Sequence, residues 1–378
     1  MKIKRVINLW LMVFGLSLIS TISFGSSVWH DQHNNLLVNK EPFFPIGMYS
    51  VRSPTVFTEL KRAGFNTVHS YEISKEYLCN YLLKAEDAGL KTYIYPATQM
   101  KDISYSLQKV ASAVEEFRNS PALLAWQLVD EPELKKTISL SDVAQLYKMV
   151  DIVDGTHPSA LVISKADKLE DYVPYTDIII VDPYPIPDRP LTLVSDMIDK
   201  TILAVGDKKP VWAILQVFGY QDKQHKGWNR KREPTLAEVR CMTYLAIAHG
   251  AKGIFYFAYH GSQYDIRLSP KHWDGVKRIA GELRDLTPVL LAPKSKKKIG
   301  VKVDGGNQTT IHSLIKEWDG KTYLIAVNVS NAPIRGIFSG IDESVQQIDV
   351  EFENRNVNCV NGGFSDDFTP YAVHIYKI

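Results

Sequence analysis

Residues 67–96 read TVHSYEISKEYLCNYLLKAEDAGLKTYIYP, and they contain one full repeat of the pattern that decides the fold. Residues 67–71 form a short β-branched and aromatic run. Leu78, Leu82 and Ala85 then recur at helical spacing, Gly89 supplies a C-terminal stop, and residues 91–96 begin the next apolar run. Working outward, strand candidates fall at 43–51, 67–71, 91–96, 125–129, 160–164, 177–181, 210–215 and 253–257, eight in all. Helical periodicity fills the gaps, as in Val56-Leu60-Ala63 before Gly64 and at 107–117, 143–153, 193–205, 236–248 and 276–286; residues 167–176 are the weakest helix. Eight strand and helix units across about 250 residues predict a (β/α)8 barrel, a parallel sheet wrapped by helices.

Helical periodicity ends at Pro293. Ile299, Val301 and Val303 alternate, and short strands are expected at 310–314, 322–329, 345–352 and 371–376, with turn signals at 304–307, 319–320 and 361–363 between them. The predicted organisation is therefore a TIM barrel over 26–293 followed by a small β-sandwich-like domain over 294–378. The run Lys294, Lys296, Lys297, Lys298 is read as a solvated linker.

The first 25 residues have a basic start, an apolar stretch from 7 to 22 and small residues around Gly25, so they are read as a secretory leader cleaved near Gly25. That reading predicts an exported, periplasmic or extracellular protein with no membrane span in the mature chain. A net charge of +2, with basic residues scattered over 378 positions, excludes a strong electrostatic case for nucleic acid or an anionic membrane. Cys79, Cys241 and Cys359 form no CxxC pair, and His69, His249 and His260 have no partner at ligand spacing; neither structural zinc nor a disulfide framework is expected. No phosphate loop, dinucleotide fingerprint or serine nucleophile elbow occurs, so no cofactor is expected.

In such a barrel the working groups sit at the C-terminal ends of the strands. Those ends carry Tyr49, Tyr71 with Glu72, Tyr95, Asp130-Glu131-Pro132-Glu133, Asp182-Pro183-Tyr184, Gln216 and Tyr259. Aromatic faces pack on the apolar faces of pyranose rings, and carboxylates and amides bond hydroxyls, so a carbohydrate partner is expected. Cleaving a glycosidic bond needs a carboxylic acid to protonate the leaving oxygen and a second carboxylate across the bond. Glu131 is the candidate acid.

The segment AWQLVDEPE, residues 125–133, resembles the fourth-strand motif of clan A retaining glycoside hydrolases, with Asp130 where the family's triplet has Asn. LVNKEPFFPIGM at 37–48 and AHGAKGI at 248–254 are similar to barrel segments of β-galactosidase-like enzymes. The resemblance implies an O-glycoside hydrolase of the β-galactosidase and cellulase-like superfamily, with Glu131 as general acid/base. It departs at the end of the seventh strand, where the family's nucleophilic Glu is replaced by Gln216, and an amide cannot be an ionised nucleophile. Asp182 and Glu72 are the available second carboxylates, with Asp182 preferred for its stiff aromatic loop.

Bland readings stand beside these. The acidic run at Asp130 suits a helix start, Asp182 before Pro183 a turn, and Glu72 a solvated loop end. The tyrosines also suit the top of a core, and Gln216 a polar layer. The loop at 221–233, with Trp228, suits a substrate lid and a charged surface loop equally. The rival to a hydrolase is a carbohydrate-binding protein on a barrel that has lost its nucleophile. Sugar, linkage, stereochemistry and oligomeric state are not written in these residues.

Overall fold

The structure is a computed structural model, and it describes residues 26–72, 74–96, 103–206, 208–219, 232–261, 264–304 and 310–378. The expected leader, and the loop at 221–233 except for its last two residues, lie outside the described residues. The eight expected barrel strands form: β4 (Ile46–Met48), β5 (Thr67–Ser70), β6 (Lys91–Ile94), β7 (Leu123–Asp130), β8 (Ser159–Ile163), β9 (Ile178–Val181), β10 (Val211–Gln216) and β11 (Ile254–Phe257). They pair in parallel, and β11 returns to β4 to close the barrel. Around them run α1 (Phe57–Ala63), α2 (Lys75–Asp87), α3 (Ile103–Phe117), α4 (Leu140–Val153), α5 (Leu169–Tyr172), α6 (Leu193–Val205), α7 (Leu236–Ala248) and α8 (Pro270–Leu291). The weakest expected helix, at 167–176, is α5 flanked by two single 3-10 turns.

Helix boundaries follow local chemistry. Ser139 and Thr235 cap α4 and α7 through reciprocal bonds with Asp142 and Glu238. Gly64 closes α1 in the left-handed region at φ 113°. Gly47 is required for a different reason: a Cβ there would lie 2.0 Å from the Phe255 ring, which crosses the lumen.

Ahead of the barrel, β1 (Val28–His30), β2 (Leu36–Val38) and β3 (Glu41–Phe43) form an antiparallel sheet that the periodicity did not announce. Val28, Leu36 and Val38 pack into one cluster with Ile178, Trp212 and Phe255 of the lumen, so this sheet plugs the bottom of the barrel. Its start is tied down by buried polar groups. Ser26 Oγ bonds the Leu123 carbonyl and lies 3.1 Å from His157 Nε2, and His157 Nδ1 lies 2.8 Å from Asp154 Oδ2. Trp126 Nε1 donates to the same Asp154 oxygen at 2.7 Å.

The C-terminal region contains β12 (Gly300–Val303), β13 (Ile311–Trp318), β14 (Lys321–Asn328), β15 (Ile334–Ser339), β16 (Gln347–Val350), β17 (Arg355–Asn358), β18 (Gly363–Phe368) and β19 (Val373–Lys377). Sheet β12-β15-β18 and sheet β13-β14-β19-β16-β17 are both antiparallel, and Leu324, Phe338, Phe364 and Tyr376 fill the space between them. The opposite face of the larger sheet, with Leu314, Ile325, Val327 and Ile375, joins the core that lies between barrel strands and helices. With the bottom plugged, the C-terminal mouth is the end of the barrel free to take a ligand.

Candidate functional site

Three carboxylates converge at this mouth. Asp130 ends β7, and the pairing with β8 slips between Gln127 and Asp130, a bulge that re-aims the last side chains of the strand. Glu131 follows in the left-handed region at φ 46° and ψ 58°, while its backbone N–H still bonds the Val162 carbonyl. A glutamate held in a conformation that favours glycine costs of order 1 kcal/mol, and such strain clusters at working sites. Asp182, just after β9, is 7% exposed, and its Oδ1 meets no partner among the described residues. Burial first, then the charges of Glu131 and Asp130 and a hydrogen bond with the Glu131 carboxyl, push Asp182 well above the usual carboxylate range. Burial and the charge of Glu131 likewise raise Asp130 to about 6.

Glu133 does different work. Its Oε1 accepts from the backbone N–H groups of Ser164 and Lys165 and from the Ser164 hydroxyl, which fixes the end of β7 to the end of β8. The bland reading of the acidic run as a helix start thus fits Glu133, next to Pro132 in a single 3-10 turn, better than Glu131.

The expected tyrosines divide. Tyr71 and Tyr95 stack at 5.8 Å and 27°, and both are half-buried. Tyr184 meets Phe218 at 5.1 Å and Phe257 at 6.0 Å. Burial leads the rise in pKa of Tyr71 and of Tyr184, and Asp130, Glu131 and Asp182 add to it, so these rings share the carboxylates' surroundings. Tyr49 lies deeper, fully buried and stacked on His69 at 3.9 Å. Tyr259 leaves the group: it is buried against Trp273 of α8 with Arg267 over its ring, on the outer side of the sheet.

Gln216 has no exposed surface, and its amide is occupied by backbone. Oε1 accepts from Ile186 N–H, and Nε2 donates to the carbonyls of Ile186 and Phe218, all near 3 Å. A sugar contact would have to displace those bonds; as placed, Gln216 fastens the loop after Asp182 to the end of β10. Glu72 is exposed at the rim, where its carboxylate accepts from Ser74 N–H beside the start of α2.

Sequence reasoning missed the floor of the site. Tyr93 and Gln127 are fully buried beside Tyr49 and His69, and the hydroxyls of Tyr49, Tyr93 and Tyr95, both His69 ring nitrogens and Gln127 Oε1 find no partner among the described residues. Burial drives His69 down to about 3, against an opposing pull from Gln127, so the ring is neutral. The available signal was parity: Tyr93 and Tyr95, like His69 and Tyr71, are two residues apart within the expected strands 91–96 and 67–71. No group of three or more His, Cys, Asp or Glu among the described residues is arranged to hold a metal ion. No described helix is long and apolar enough to cross a membrane.

No family model matches the chain, and no curated protein matches it in sequence. Among solved structures, the chain is similar to a family 39 glycoside hydrolase from the gut symbiont Bacteroides cellulosilyticus WH2, at 13% identity and TM-score 0.56 over 94% of this chain and 88% of that one. It is also similar to an alpha-amylase from Geobacillus thermoleovorans complexed with acarbose, at 11% identity and TM-score 0.55 over 86% and 90%. An Anoxybacillus alpha-amylase gives 10% identity and TM-score 0.55 over 92% and 98%. The structural neighbours are glycoside hydrolases, consistent with the barrel that the fourth-strand motif implies, and at these identities the likeness speaks for the fold.

Proposed function

We propose that this chain is a secreted glycoside hydrolase that cleaves O-glycosidic bonds of a poly- or oligosaccharide, with Glu131 as general acid/base and Asp182 as the second carboxylate. The observation that carries the proposal is the gathering of Asp130, Glu131 and the buried Asp182 at one mouth, where the charges of Glu131 and Asp130 act on the Asp182 carboxyl. Burial and those neighbouring charges favour the protonated form of Asp182. One neutral acid facing one carboxylate is the pairing that glycoside cleavage uses. Glu131, less buried than Asp182 and held in a left-handed backbone conformation, is the member suited to protonate the leaving oxygen. Tyr71, Tyr95 and Tyr184 supply ring faces for a pyranose, and the unpaired polar atoms beneath them suit a ligand rich in hydroxyls.

The test is a panel of polysaccharides assayed for new reducing ends. Glu131→Gln and Asp182→Asn should each lower turnover by about a thousandfold or more while sugar affinity and the unfolding midpoint stay near wild type. Unchanged turnover in Glu131→Gln would remove it from the mechanism. The second reading, a carbohydrate binder, is favoured by the occupied Gln216 amide, and binding without product across the panel would support it.

A further inference from the structure

We infer that the barrel carries a second binding site, for one neutral pyranose unit of a glycan chain, in a recess at its base lined by Trp29, Tyr147, Asp151 and Asp177. The recess, about 170 Å³, lies outside the plugged lumen, between β1, the end of α4 and the starts of β8 and β9. It is at the opposite end of the barrel from Glu131 and Asp182, which follow the C-terminal ends of their strands. Pockets for drug-sized ligands run to roughly 300–1,000 Å³, so this smaller one suits a single ring.

Trp29 is 58% exposed, because β1 turns Val28 into the plug and so presents the next side chain outward. Its indole N–H makes no hydrogen bond among the described residues. A flat ring left in water beside a recess is a platform for the C–H face of a pyranose. Acceptors stand near it. Tyr147 donates its hydroxyl to Asp177 Oδ1 at 3.2 Å, while Asp177 Oδ2 accepts from the Ser159 N–H and hydroxyl, both at 2.8 Å. The Tyr147 oxygen thus keeps its lone pairs for a ligand. Asp151, four residues on along α4, is exposed, and its carboxylate makes no hydrogen bond or ion pair among the described residues. Burial first, then the charge and hydrogen bond of Asp177 and the charge of Asp151, push the Tyr147 hydroxyl up to about 12, which sets these three groups together. Asp154, also in the lining, is committed to Trp126, Thr156 and His157. His30 in the lining has its Nδ1 3.3 Å from the Asp31 carbonyl.

An aromatic platform flanked by carboxylates selects its occupant. An anion would meet Asp151 and Asp177, and an apolar ring would strip water from their oxygens without replacing it. A neutral sugar packs its C–H face on the indole and donates hydroxyls to the carboxylates. The experiment reads this recess separately from the mouth. The whole chain, carrying Glu131→Gln so that no probe is consumed, is labelled with fluorotryptophan, and the Trp29 fluorine resonance is identified by its loss in Trp29→Phe. Maltohexaose, cellohexaose, xylohexaose and mannohexaose are titrated in turn, with glycerol as the control for hydroxyls alone. A saturable shift of the Trp29 resonance is expected with at least one of the four. Its affinity should fall at least fivefold in Asp151→Ala and in Tyr147→Phe, with far-UV circular dichroism confirming both folds. No saturable shift with any of the four, a shift that glycerol reproduces, or unchanged affinity in both folded variants overturns the inference. A glucosamine hexamer bound at least tenfold tighter than every neutral hexamer would assign the recess to a cation, and a Trp29 shift that follows protein concentration without sugar would assign it to a second copy; either overturns it as well. Turnover at the mouth, measured with Glu131 intact, should be unchanged in Asp151→Ala, so failure of one reading leaves the other standing.

Discussion

At Asp130 the protein's electrostatics can be tested without any substrate. Burial and Glu131 raise its carboxyl from 3.8 to about 6. A carboxyl raised on folding contributes stability that is fully present below the unfolded value and is lost as pH rises through the folded one. Above pH 6 the ionised form therefore weakens the fold, by on the order of 3 kcal/mol at most, less after allowance for the solvent that reaches a half-buried group. Asp130→Asn should gain about 1–2 kcal/mol at pH 8 and almost nothing at pH 4. Thermal unfolding at the two pH values checks this, and an advantage that does not grow with pH would contradict it. Residue identity alone showed that carboxylates and rings gather at strand ends, but not which way each points. Tyr259 illustrates why: β11 ends at Phe257, and the Tyr259 N–H bonds back to the Tyr49 carbonyl, turning the ring onto Trp273. Two-residue parity gives a direction only while the chain stays extended, and it fails at Tyr259.

At the scale of elements, the plug β1–β3 depends on Asp154, buried at the end of α4. Its two oxygens accept from Thr156, Trp126 and, where His157 Nδ1 carries the proton, from His157, and burial is outweighed by these bonds, so the carboxyl sits below its usual range. A depressed carboxyl contributes stability above the unfolded value and loses it as pH falls through the folded one, so this anchor weakens only in strong acid. Asp154→Ala should cost about 3 kcal/mol at pH 7, since it strands buried donors, and should raise proteolysis or hydrogen exchange first in residues 26–43. A loss under 1 kcal/mol would deny the anchor. The barrel strands were legible because each is an apolar run between helical periods. β15, β17 and β18 were not, because IRGIFS, RNVN and GFSDDF bury only alternate or scattered residues and carry charge, as strands of a half-exposed sheet do. The plug was hidden for a related reason: three strands of three residues are too short to show a period.

At the scale of the molecule, the barrel and the C-terminal sheets are expected to unfold as one cooperative body. Leu314, Tyr323, Ile325, Val327, Val373 and Ile375 belong to the same continuous core as the barrel helices. Polar bonds reinforce the seam: Arg240 of α7 pairs with Glu282 of α8 at 2.8 Å and donates to the Val373 carbonyl, and Cys241 reaches the Asn328 carbonyl. Ile325 is fully buried at this seam, so Ile325→Ala removes packing from both parts at once. It should cost roughly 2–5 kcal/mol and lower the midpoint of one transition, with calorimetric and van't Hoff enthalpies still equal. Two separated transitions, with only one displaced by the substitution, would show instead that the sheets fold independently. On the single-body reading, a chain ending at residue 293 exposes the apolar face of α7 and α8, so it should aggregate or unfold well below the full chain's midpoint.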